Sequence, residues 1–135
     1  MKAELAVGDF GRQIGMEDLS LHPMGRVRLG LASGDWLSLE EHDDDLVVSL
    51  VVHCPHVEGA ALLTALQMCE VRKSMGRLRM QAGLHGQGQD SALVLAARLP
   101  AYSVKAQDIS SAVDGCLEWA REWQARTHSM GVGSR

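Results

Sequence analysis

The sequence predicts an α+β fold: a helix, a three-stranded antiparallel meander, a second helix, a β-hairpin and a last helix, giving a twisted antiparallel sheet with helices packed on it. Three observations carry that reading. Short runs alternate apolar and polar residues with period 2, as where Val27, Leu29 and Leu31 are interleaved with Arg28 and Gly30. The stretch VEGAALLTALQMCEV, Val57 to Val71, is apolar almost all round, with only Thr64 and Gln67 polar between Glu58 and Glu70. Near the end, Ile109, Ala112, Val113, Cys116, Ala120 and Trp123 fall on one helical stripe, with Trp119 at its edge.

In chain order, Ala3 to Ile14 forms the first helix, with Ala3, Val7, Phe10 and Ile14 on one face. Gly8 and Gly11 each cost about 1 kcal/mol of helix propensity, so packing must hold this helix. Three strands follow, Arg26 to Ala32, Asp35 to Glu41 and Asp45 to Cys54. Ser33-Gly34 closes the first hairpin, because glycine accepts the positive φ of a tight turn. EEHDDD, Glu40 to Asp45, is the second connection, read as a solvated turn because it lacks the glycine and distal Glu of a calcium loop. LVVSLVVHC is apolar on both faces and belongs at the centre of the sheet. The middle helix is bounded by Pro55 and Gly76, with Arg72, Lys73 and Arg77 placing positive charge at its C-terminus. Arg77 to His85 and Ser91 to Leu99 form the second hairpin around Gly86 to Gln89, Pro100 ends it, and Asp108 opens the last helix.

A length of 135 residues fits one domain, assigned to residues 1–126, and the aperiodic residues 127–135 are expected to form a disordered tail. A net charge of -4 with scattered basic residues argues against a nucleic-acid surface. Three irregularly spaced cysteines make neither a disulfide framework nor a zinc ribbon. With no signal-like segment and no run of membrane-spanning length, the reading is a cytosolic protein without a membrane partner.

The chemistry of a catalytic or metal site is not evident. HCPH offers His53, Cys54 and His56, but a strand points His53 and Cys54 to opposite faces, and no second cluster completes a ligand set. Cys54 has no base beside it in sequence to make it a nucleophile. There is no phosphate-binding loop and no G-x-S-x-G elbow. The expectation is therefore no enzyme, no metal and no cofactor. A helix apolar on two sides points instead to a second copy of the same chain, with Leu62, Leu66 and Cys69 recurring on the side that would meet it.

The order of elements, together with FGRQIGMEDLSLHPMGRVRLGL (Phe10 to Leu31), ALLTALQMC (Ala61 to Cys69) and LVLAARLPAYSVKAQDISSAVDGCLEWAREW (Leu93 to Trp123), resembles the class I type III secretion chaperones, the CesT/SycE-like family. The resemblance implies a cytoplasmic bacterial homodimer joined through the second helix. It also implies binding, without catalysis, of the N-terminal segment of a secreted effector in extended form, which keeps the effector soluble and secretion-competent. Phe10, Ile14, Leu29, Leu31 and Trp36, large apolar residues near the periphery of the first helix and first hairpin, are the effector-binding candidates. The alternative on the same fold is a dimeric scaffold or regulator of secretion that binds a folded protein, and a third reading is an enzyme or metal protein built on HCPH.

Overall fold

The computed structural model describes residues 2–74 and 79–129. Helix α1 (Lys2–Gln13) leads into strands β1 (Arg26–Gly30), β2 (Trp36–His42) and β3 (Asp45–His53); helix α2 (Gly59–Ser74) is followed by β4 (Met80–His85), a 3-10 turn at Gly88–Asp90, β5 (Ala92–Pro100) and helix α3 (Ala106–Ser129). All pairings are antiparallel, in the order β1-β2-β3-β5-β4, so β3 is central as its two apolar faces require. The predicted α+β order is the observed one. Residues 75–78 and 130–135, including the expected helix stop at Gly76 and the start of the second hairpin at Arg77, lie outside the described residues.

One face of the sheet carries the core. Leu37 and Leu39 of β2, Leu46, Val48, Leu50 and Val52 of β3, and Leu93, Leu95, Ala97 and Leu99 of β5 are all buried. The helices cover them in two adjoining clusters, one around α1 and the first half of α3, the other around α2 and the second half of α3. α1 brings Ala3, Ala6, Val7 and Phe10 inward. Gly11 is there for space: a Cβ at that position would stand 2.6 Å from both the Leu19 side chain and the Met16 carbonyl. Among the described residues no helix lies over the opposite face of the sheet, and its side chains, from Arg28 and Trp36 to His53 and Arg98, are partly or fully exposed apart from Ala92.

Several expected boundaries shift for local reasons. The middle helix begins at Gly59 rather than Val57, because His56 takes a φ of 55° and the first helical hydrogen bond runs from Leu62 N–H to the Glu58 carbonyl. The acidic connection shrinks to Asp43 and Asp44: Glu40, Glu41 and His42 belong to β2, and Asp43 accepts the left-handed φ of 54° the tight turn demands. It is also tied down, with Asp44 accepting from Tyr102 Oη at 2.9 Å and Asp45 paired with Arg98 at 3.2 Å. The last helix starts at Ala106, and Asp108 sits in its first turn, accepting the Lys105 backbone N–H at 2.9 Å as the reaching-back half of a capping box. That helix continues to Ser129, so residues 127–129, expected in a disordered tail, complete its last turn. Trp119 is at the centre of the buried stripe, with an exposure of 0%, and stacks on Trp123 with ring centroids 6.2 Å apart. Its larger-than-expected burial follows from α2, which closes over it: Trp123 Nε1–H donates to the Ala61 carbonyl at 2.8 Å.

Candidate protein-interaction surfaces

Two surfaces present chemistry for a protein partner. The first is the outer side of α2. Its inward stripe is made of Ala61, Ala65, Met68, Cys69 and Arg72, while Leu63, Leu66 and Val71 face outward and Leu62 is half-buried at the boundary. The outer side also exposes Gln67 and Glu70, but it carries three large apolar side chains that the sheet and α3 do not cover. Cys69 is at the margin of the inward stripe, and its thiol pKa is raised by burial.

The second is the free edge of the sheet at β1. Glu41 N–H donates to the Gly25 carbonyl and Leu31 N–H to the Asp35 carbonyl, each at 2.9 Å. Because an antiparallel ladder alternates, Val27 and Leu29 also turn their backbone groups toward β2, and those of Arg26, Arg28 and Gly30 point away from the sheet. Beside this edge, on the helix-covered side, runs a groove of about 480 Å³ whose walls include Gly15, Met16, Leu19, Val27 and Leu29. α1 shapes it through its C-terminus. Gly15 at φ 83° lets Met16 N–H reach the Gly11 carbonyl at 2.7 Å and Gly15 N–H reach Arg12, a Schellman closure that turns the chain back along β1. Around the corner, the open face of the sheet holds a shallow concavity of about 370 Å³ bordered by Arg28, Trp36, Ser38, Ser49, Val51 and His53.

The HCPH segment assembles nothing comparable. His53 is exposed and its backbone N–H donates to Asp35 Oδ1 at 3.2 Å; the backbone N–H groups of Cys54 and His56 bond the carbonyls of Ser91 and Gly88. Burial holds the Cys54 thiol pKa above its ordinary value, the opposite of what a nucleophile needs. No group of three or more ligating side chains is close enough to hold a metal among the described residues. Among them, too, no helix is long and apolar enough to cross a membrane.

A family profile described as "Type III secretory system chaperone SycN" matches residues 3–123. The chain belongs to that family. No curated sequence matches it significantly. Among solved structures, this chaperone is similar to a chain of the ExsC-ExsE complex, at 18% identity and a TM-score of 0.70 over 92% of both chains. It is also similar to a chain of the HopA1-SchA chaperone-effector complex, at 18% identity and 0.66 over 90% of this chain and 91% of that one. YbjN from E. coli shares the fold more distantly, at 14% identity and 0.57 over 91% and 89%. At these identities the likenesses speak to the fold, and the family assignment rests on the profile.

The effector-binding candidates separate on this chaperone. Phe10 is 3% exposed and packs in the α1 cluster, and Leu29 is buried at the base of the edge groove, so Phe10 is a core residue and not a free anchor. Leu31 is half-buried against the α2 cluster. Ile14 is 47% exposed, because the Schellman closure makes it the residue that leaves the helix. Trp36 is equally exposed, on the open face, with the Arg28 guanidinium 5.8 Å from its ring centre. Leu29 therefore lines the edge groove, Ile14 is exposed one residue before its Gly15 wall, and Trp36 looks onto the other face. Sequence reasoning missed Met16, Leu19 and Val27; the signal was Gly15 followed by a polar loop, which reads as a helix stop but not as a groove wall.

Proposed function

We propose that this chaperone works as a homodimer in the bacterial cytoplasm, closed through Leu62, Leu66 and Cys69 of α2, and that it captures the N-terminal segment of a secreted effector in extended form. The observation that carries the capture is the β1 edge: outward backbone groups at Arg26, Arg28 and Gly30 lie directly beside a groove that presents Met16, Leu19, Val27 and Leu29. An added strand gains main-chain hydrogen bonds from that edge, and alternate side chains enter the groove. Each large apolar anchor fully buried contributes about 1.5 to 3 kcal/mol, so several are needed to offset the ordering of a disordered segment. Leu29 contributes to this groove, Ile14 offers an exposed apolar contact next to its Gly15 wall and Trp36 a further contact on the open face; the process requires no catalytic group, metal or cofactor. Captured in this way, the segment stays soluble and competent for export.

The test uses a candidate secreted protein taken from the genes next to this one. Its N-terminal segment, co-expressed with the chaperone, is expected to co-purify, with amide exchange slowed at Arg26, Arg28 and Gly30, and Ile14→Asp is expected to weaken binding while leaving the circular dichroism spectrum unchanged. Binding only by the folded part of that protein, with β1 unprotected, would turn the reading toward a scaffold.

A further inference from the structure

We propose that Arg28 makes the β1 edge selective for an acidic side chain at the centre of the captured strand. This rests on the capture reading above and adds its charge code. Arg28 is the middle of the three residues whose backbone groups point outward, so the residue of an added antiparallel strand that pairs with it exchanges both hydrogen bonds and projects its side chain on the same face, the open one. The two neighbours of that residue project to the other face, toward Val27, Leu29 and the groove.

The charges on the two faces differ. Arg28 is exposed and makes no ion pair among the described residues; its guanidinium is steadied over the Trp36 ring, and its cross-strand neighbour is Ser38. Arg26, the other cation of the edge, stands opposite Glu40 and is already partly balanced. The groove lining adds the carboxylates of Glu17 and Asp18, with Arg28 reaching its rim from the strand edge. An acidic residue is therefore favoured only opposite Arg28, and apolar residues are favoured on either side of it. The geometry specifies an apolar-acidic-apolar triplet, and a strand shifted by one residue would bring its carboxylate toward Glu17 and Asp18.

The probe is a set of three ten-residue peptides identical except for a central Val-Glu-Val, Val-Gln-Val or Val-Lys-Val, titrated into ¹⁵N-labelled protein. The expected order of affinity is Glu over Gln over Lys, about threefold per step at low salt and converging as salt is raised. Shifts are expected at the amides of Arg26, Arg28 and Gly30. Arg28→Glu should reverse the order. Gly30→Pro, which removes an outward N–H from a position where an added Cβ meets nothing within 4 Å, should weaken all three peptides alike. Equal affinities, an order unchanged in Arg28→Glu, or no shift along β1 with any peptide would overturn the selectivity. If the full effector segment still binds and protects β1 under any of those outcomes, only the charge code fails; if it does not, the capture reading fails with it.

Discussion

α2 and α3 lie over the same face of the sheet, and they differ in which side chains they turn toward it. α3 sends its largest residues inward: Ile109, Trp119 and Trp123 are buried along with Ala112, Cys116 and Ala120. α2 divides its own. Its inward stripe combines Ala61 and Ala65 with Met68, Cys69 and Arg72, and it leaves Leu63, Leu66 and Val71 outside. Ala61 and Ala65 let α2 approach closely, while its exposed leucines leave an apolar outer side that the proposed second copy would cover. Side-chain placement along the two stripes thus separates a helix given over to the core from one that keeps an apolar outer side.

The sharpest way to break this contrast is a substitution on each helix. Trp119→Ala should cost about 3 to 5 kcal/mol of folding stability, since it empties the centre of the second cluster and removes the stack on Trp123. Trp119→Phe should cost much less. The Trp119 Nε1–H is buried without an acceptor among the described residues, and removing an unsatisfied donor returns part of what the smaller ring loses. Urea denaturation of the two variants gives the comparison directly. Equal losses would mean that the indole is held by something other than packing.

Leu66→Glu is the counterpart on α2. Leu66 is 47% exposed in the single chain, so a carboxylate there should leave the fold of one chain nearly intact, within about 0.5 kcal/mol. In the dimer the same carboxylate would be placed in an apolar interface at a cost of several kcal/mol, enough to shift the assembly to monomer. Sedimentation of wild type and variant at micromolar concentration decides it: a monomeric wild type, or a dimeric variant of unchanged affinity, removes α2 as the interface.

How much of this contrast the residues alone disclosed depends on what kind of signal each feature leaves. The strands and the α3 stripe announce themselves through periodicity, because burial of one face imposes period 2 or 3.6. The apolar surplus of α2 is also visible, since composition records it wherever the side chains point. The direction in which Trp119 points is harder to read: it sits one position off the stripe, and only α2 closing over it makes it central. The edge groove is hardest, because it depends on a backbone event. Ile14 continues the apolar face of α1 on paper, and the Schellman closure at Gly15 turns it outward, while Phe10, one turn earlier, stays in the core. A helix stop can be inferred from one glycine; the wall it builds against β1 requires the return path of the chain.

The smallest expected effect reads the same contrast through two thiols. Cys116 of α3 is fully buried, and desolvation pushes its pKa up to about 12, with nearby Arg72 opposing the shift. Cys69 of α2 is raised too, again chiefly by desolvation, but keeps 9% of its surface open in the single chain. A thiol whose pKa is higher in the folded chain holds its proton there while the unfolded chain gives it up, so its contribution to stability is complete below the ordinary thiol value of 9.0 and declines between that value and about 12. Stability should therefore fall as pH rises through that window, and Cys116→Ala should flatten part of the decline. Alkylation at pH 8 supplies the sharper comparison. Cys116 should react only through opening of the fold, at a rate insensitive to protein concentration, whereas Cys69, at the margin of the proposed α2 interface, should react faster as dilution separates the proposed dimer. Equal protection of both thiols at every concentration would mean that α2, like α3, is already fully covered by its own chain.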